Sequence, residues 1–396
     1  MFSFIINFVI IVIHPNSMKN IIYPIIFISI SFLSCTNKDP EISQTSPTNY
    51  ILNLSSEPEF QVGANLGLNY YNDITVGVLN YSLTNIKLIT SANTETIVIE
   101  GTDLKNMTST SIILNPSIVD NYSNTNAIDY NYIGLGQIIK AKDNKIYGLY
   151  HGEWHDGSVL PGNVPGFYGS IGLCISSDGG TSFSKSSTSV IPNIYDKNHD
   201  NGFADGGYGE PSLTFNSDST AVYSYFVDHN RTGKGVNICM AKFNVLNNGT
   251  PDFGNCYLLD ESNNFTNSII RPKQIVSGTT GSSDAIFPHV TYNKKAKKYF
   301  MVYTLNAYAE FFTSGRPVYS GTYIRASTDG INWSEKPTQL MTDFGIPFNS
   351  TSSFTWHPTL IYTNNDQSEG YLLYSKSTLG IGQESHKMWA RKFTVN

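Results

Sequence analysis

Glu210 stands at the end of a glycine-rich run, Gly206-Gly207-Tyr208-Gly209-Glu210-Pro211. Glycines let a ligand approach the main chain closely, and a carboxyl group there can give or take a proton. A second cluster is His151-Gly152-Glu153-Trp154-His155-Asp156. It packs two imidazoles, two carboxyls and an indole into six residues of a chain that is only 14% charged and has eight histidines. Glu210 and Glu153 are therefore the leading pair for acid–base work. Asp284 is the third catalytic candidate, and Asp205 and Asp228 compete with it for a supporting role. Gln137, His151, Asp228, His289 and His357 could bind hydroxyl groups, and Trp154 and Trp356 could stack on a sugar ring.

These residues recur within a repeated phrase. Gly209-Glu210-Pro211-Ser212-Leu213 precedes Val222-Tyr223-Ser224-Tyr225. Phe287-Pro288-His289-Val290 precedes Tyr299-Phe300-Met301-Val302-Tyr303, and Trp356-His357-Pro358-Thr359-Leu360 precedes Tyr371-Leu372-Leu373-Tyr374. A version without proline is Leu135-Gly136-Gln137-Ile138-Ile139, then Tyr147-Gly148-Leu149-Tyr150. The three prolines lie 77 and 70 residues apart, and Gln137 lies 74 before the first. Several short strands per period of that size imply radial repetition of small sheets, an all-β propeller. Matched positions then meet at one axis, which places Gln137, Glu210, His289 and His357 together.

Five sheets are expected, with a six-bladed ring or a propeller plus a small β-sandwich as alternatives. Residues 119–396 carry the clear repeats. Residues 50–118 hold credible strands at 74–78, 86–89 and 96–99 but lack the phrase, with Glu57-Pro58 its faintest echo. They form one divergent sheet or a separate sandwich.

The totals bound the partners. Net charge is −6, so no basic face invites nucleic acid. Residues 1–35 read as an export signal that starts at Met18. Lys19 is its positive end, 21–32 its apolar stretch, and Phe32-Leu33-Ser34-Cys35 resembles a loose lipoprotein box. Cys35 would carry the lipid, 36–49 would be a polar tether, and the protein would be exported and membrane-anchored through lipid alone, as a monomer. Cys239 and Cys256 could pair in that oxidising compartment, and Cys174 reads as a small buried hydrophobe. No spacing of Cys and His suggests zinc, and no cofactor is required. A structural Ca²⁺ made from Asp and carbonyl oxygens is conceivable.

Two further turns extend the pattern. Ser176-Ser177-Asp178-Gly179-Gly180-Thr181-Ser182-Phe183 resembles the Asp-box of sialidases, and Ser327-Thr328-Asp329-Gly330-Ile331-Asn332-Trp333 resembles a form one residue shorter. With Gly-Glu-Pro-Ser at 209–212, Phe-Pro-His at 287–289, Trp-His-Pro at 356–358 and Tyr-His-Gly-Glu at 150–153, the chain from about 120 to 396 resembles the propeller glycoside hydrolases of the arabinanase and xylosidase kind. The resemblance implies cleavage of a glycosidic bond in an oligo- or polysaccharide by a carboxyl pair in the central pocket. The alternative is a propeller that binds glycans without cutting them. The chain departs from the pattern in two places. No Asp-Pro appears in 50–130, where the arabinanase-like enzymes carry their base. Only five arginines occur and Arg271-Pro272 lacks the preceding Ile, which argues against a sialidase.

Overall fold

A computed structural model describes residues 52–68, 72–82, 84–117, 127–160, 164–194, 206–230, 236–277, 284–306, 321–342, 354–377 and 386–396. Cys35, the export segment and the tether lie outside the described residues.

The chain begins with two short strands, β1 (Leu52–Leu54) and β2 (Phe60–Gln61). Four antiparallel meanders follow. The first is β3 (Gly77–Tyr81), β4 (Ile86–Ala92), β5 (Glu95–Gly101) and β6 (Met107–Leu114). The second is β7 (Tyr132–Lys140), β8 (Ile146–Leu160), β9 (Val164–Ser176) and β10 (Ser184–Lys185). The third is β11 (Gly206–Phe215), β12 (Ala221–Asp228), β13 (Asn237–Asn244), β14 (Tyr257–Leu259) and β15 (Phe265–Thr266). The fourth is β16 (Asp284–Asn293), β17 (Lys298–Asn306), β18 (Gly321–Ser327) and β19 (Thr338–Thr342). The last sheet has only three strands in sequence, β20 (Phe354–Tyr362), β21 (Glu369–Ser377) and β22 (Lys387–Val395). β1 completes it by pairing with β22, Leu52 opposite Val395. Glu57-Pro58 falls between β1 and β2 on this outer edge, away from the innermost strands.

The sheets pack face to face in a ring. Ile89 and Val98 of the first meet Leu135 and Tyr150 of the second. Leu149 and Ile171 meet Leu213 and Phe226 of the third. Tyr225 and Met240 meet Val290 and Met301 of the fourth. Phe300 and Val302 meet Leu360 and Leu372 of the last. Ile361 and Leu373 meet Leu88 and Ile99 of the first, which closes the circle. β-Branched and aromatic residues dominate because both faces of each sheet are covered. Residues 77–114 therefore form a sheet of the ring. The chain is an all-β propeller.

The inner strands β7, β11, β16 and β20 kink at the repeated phrase. Two residues bulge out of register at Gly136-Gln137, Glu210-Pro211, Phe287-Pro288 and His357-Pro358. Proline has no N–H to give to a ladder, so it is tolerated where pairing is interrupted. Glu210, Phe287 and His357 take φ of 53°, 56° and 48°. That left-handed backbone costs a non-glycine residue about 1–2 kcal/mol.

A chain of hydrogen bonds links these kinks across the sheets. Leu213 N–H donates to Gln137 Oε1 (3.0 Å), and Val290 N–H to Ser212 Oγ (2.8 Å). Leu360 N–H donates to His289 Nδ1 (3.4 Å), and Val76 N–H to Thr359 Oγ1 (2.9 Å). The donor always follows the matched position of the next sheet, which makes Thr75 the counterpart of Ser212, His289 and Thr359. Gln137 also accepts from Ser212 Oγ (2.5 Å) and donates through Nε2 to Val290 O (2.9 Å).

The two Asp turns join the third strand of a sheet to the fourth. Asp178 Oδ1 accepts from Ser176 Oγ and Ser182 N–H, with Gly179 and Gly180 at positive φ. Asp329 Oδ1 accepts from Ile331 and Asn332 N–H, and the buried Trp333 indole donates to Gly330 O. Both carboxyls serve the turn. All three described cysteines are free, so Cys239 and Cys256 do not pair; Cys239 Sγ faces Pro272 O instead.

Replacing Gln137 with Leu orphans the Leu213 N–H and removes the bridge to Val290. Thermal and denaturant unfolding of Gln137→Leu should show a loss of about 2 kcal/mol or more.

Candidate active site

Side chains from four sheets meet around Glu210. It follows the tight entry of β11, where Gly207 lies so close to Gly169 that any Cβ would strike its carbonyl oxygen at 2.1 Å. Gly209 is equally constrained, since a Cβ there would meet the His151 ring at 2.4 Å. The bulge then turns Glu210 inward, and its residue is only 6% exposed.

His151 comes from β8. Its Nδ1 lies 3.4 Å from Glu210 N and accepts that N–H. Its Nε2 is 2.9 Å from Glu153 Oε1 and 3.9 Å from Glu210 Oε1. Glu153 Oε2 meets His155 Nε2 at 2.7 Å. From the last sheet, His357 Nδ1 faces Glu210 Oε2 at 3.7 Å, and neither atom has a hydrogen bond. His357 Nε2 lies 3.4 Å from Asp73 Oδ1 of the first sheet. The result is an alternating row: Asp73, His357, Glu210, His151, Glu153, His155. Tyr132 OH supports one end, in contact with Asp73 O (2.8 Å) and Ser91 Oγ (2.9 Å).

The environments pull the carboxyls apart. Burial pushes Glu210 toward its protonated form, and Asp73 and Glu153 add to this against the opposing pull of His151 and His357. Burial opposes ionisation of Glu153 too, but hydrogen bonds from His151 and His155 hold it at about 2. Burial works against a charged His151, yet Glu210 and Glu153 outweigh it and raise its proton affinity. One carboxyl is thus favoured in its protonated form beside another held as an anion.

The other expected residues fall in different places. Gln137 is committed to the inter-sheet lattice at both ends of its amide. His289 is the clearest correction. The position matched to Glu210 and His357 is Phe287, one place before Pro288, whereas His289 follows the proline and serves the Leu360 N–H. The expected meeting of Glu210, His289 and His357 thus holds for Glu210 with His357. Asp228 ends β12, where Oδ1 accepts from Asn230 N–H and Nδ2, and Oδ2 lies 3.6 Å from Arg271 Nε. Trp154 lies on β8 opposite Tyr168, half-buried. Trp356 packs near Phe287 (6.1 Å) and edge-on to His386 (4.9 Å), and Phe287 lies tilted against His357 with ring centroids 3.9 Å apart. Asp284 opens β16 opposite Asn306, and its side chain lies outside the described residues. Among the described residues no group of three or more His, Cys, Asp or Glu forms a metal-binding constellation.

Asp73 escaped the sequence reading. Asp73-Ile74-Thr75-Val76 is the phrase Glu210-Pro211-Ser212-Leu213 with Ile in place of Pro. The hydrogen bond from Val76 to Thr359 identifies the match. An acid two residues before Ser or Thr, at the start of an inner strand, was the signal.

Burial drives the His289 imidazole down to about 3, below its ordinary 6.5. The folded state resists this proton and the unfolded chain accepts it. Stability contributed here is complete above about pH 6.5 and falls as pH drops toward 3. Melting temperatures should therefore decline through that window in the wild type and decline less in His289→Gln, whose amide oxygen can still accept from Leu360.

No family model matches the chain, and no curated protein matches it significantly. Solved structures do. A thermostable family-43 glycoside hydrolase aligns over 85% of this chain and 96% of its own, at 15% identity and a TM-score of 0.50. An endo-arabinase from Bacteroides thetaiotaomicron aligns over 86% and 98%, at 12% identity and 0.48. A family-93 α-L-arabinofuranosidase of Fusarium graminearum with arabinobiose aligns over 84% and 97%, at 11% identity and 0.44. At such identities the likeness is one of fold, and it rests on the first of the three: this chain has a propeller fold of the glycoside-hydrolase type.

Proposed function

We propose that this propeller hydrolyses a glycosidic bond in an oligo- or polysaccharide, with Glu210 as the general acid. The observation that supports this most is Glu210 itself: a buried carboxyl favoured in its protonated form, with Oε2 unpartnered toward His357. Such a group can protonate the oxygen of a leaving sugar.

Asp73 is the better partner on this reading. Its side chain is 37% exposed, so water can reach it. One imidazole, His357, lies between it and Glu210, so the two carboxyls do not touch. Glu153 has both oxygens engaged by histidines and serves to orient them. Trp356 and Phe287 offer an apolar face beside the acid for a sugar ring. The lipid at Cys35 belongs to the same proposal and would hold the enzyme at a bacterial membrane surface.

The test is hydrolysis of a panel of plant and algal polysaccharides that includes arabinan and arabinoxylan. Wild type should release sugar. Glu210→Gln and Asp73→Asn should each lower kcat by about 10²–10⁴ while still binding the glycan. Undiminished cleavage by Glu210→Gln would remove it as the acid. Binding without cleavage by the wild type would make the chain a glycan-binding propeller instead. Separately, labelled palmitate should enter the full-length protein expressed in a bacterial host and be absent from Cys35→Ser.

A further inference from the structure

We propose that His151 is a positioning residue for Glu210, and that Glu153 draws the His151 Nε2–H away from the Glu210 carboxyl so that this carboxyl keeps its own proton. The proposal rests on the reading of Glu210 as the acid.

The geometry fixes the tautomer. His151 Nδ1 accepts the Glu210 main-chain N–H, so in the neutral ring the proton sits on Nε2. That N–H has two possible acceptors. Glu153 Oε1 is within hydrogen-bond reach at 2.9 Å, and Glu210 Oε1 is beyond it at 3.9 Å. Glu153 cannot turn away, because His155 holds its other oxygen at 2.7 Å, and His155 N–H is in turn tied to Asn131 Oδ1 at 2.9 Å.

The ring cannot move toward Glu210 either. His151 is fully buried, and glycines at 209 and 169 admit it against bare main chain. Phe167 meets it edge-on at 5.7 Å, with Tyr132 at 5.8 Å and His229 at 6.2 Å on other sides. Through its Nδ1 the same ring braces the left-handed backbone at Glu210. A carboxylate that accepts a strong donor is favoured as an anion, and one denied that donor retains its proton. Glu153 thus acts at one remove from the reacting group. Among the described residues, the charged and titratable groups around Glu210 and His151 are Glu153 from β8, His357 from β20, Asp73 ahead of β3, Tyr132 from β7, and His229 just after β12, packed against the His151 ring.

The experiment uses the full chain with ¹⁵N-labelled imidazoles and ¹³C-labelled Glu carboxyls. In wild type at pH 8, His151 should carry its proton on Nε2. In Glu153→Ala and Glu153→Gln, the Glu210 titration midpoint should fall by about one pH unit or more. The basic limb of the kcat/KM profile should move to lower pH by the same amount. His155→Gln, which frees one Glu153 oxygen, should give a smaller fall in the same direction. An Nδ1–H tautomer in wild type, or an unmoved Glu210 midpoint in folded Glu153→Gln, would overturn the proposal. The resonance measurements need no substrate. If Glu210→Gln stays active while the midpoints shift as expected, the acid assignment fails and the positioning role stands.

Discussion

The two-residue bulge in four of the inner strands is the constraint on which the rest depends. It breaks the ladder where proline has no N–H to contribute, and it turns the residue before the proline toward the axis. The residue after it is left free to bind the next sheet. One local irregularity therefore does two jobs. Ser212, His289 and Thr359 tie the ring together, while Glu210 and His357 face one another inside it. The strain of a left-handed glutamate and histidine is offset by packing between the sheets, and strain of this kind is commonly found at functional sites.

Around that scaffold the site is built by pairing unlike neighbours. Glu210 and Glu153 share one imidazole but live in opposite electrostatic conditions. One is buried with no hydrogen bond to its Oε2, and the other is clasped by two rings. Nothing in the residue types distinguishes them. Only the order in which the sheets present them does.

Much of the architecture was legible because the phrase combines a proline with a fixed distance to a Tyr-rich strand. That pattern located four inner strands and singled out Glu210 and His357, while the density of polar groups at 151–156 singled out His151 and Glu153. It misjudged His289 because a proline marks a bulge without saying which neighbour points inward, and the polar residue lay on the other side of Pro288. It missed Asp73 because Ile74 replaces the proline, and the match is defined by a hydrogen bond from Val76 to a strand almost three hundred residues away in the chain. Gln137 looked like a pocket residue by position. Its amide has the reach to span three sheets, and the framework uses all of it.

The pairing of β1 with β22 has a bearing on how the molecule is made. The strand that completes the last sheet is the first of the described strands to be synthesised, and its partner is the last. Until β22 is made, Leu52 and Leu54 have no strand of that sheet to pair with. Asp73 and His357 belong to the first and the last sheet. The acid–histidine row therefore spans the two sheets that meet where the ring closes, and its Asp73–His357 link depends on that closure.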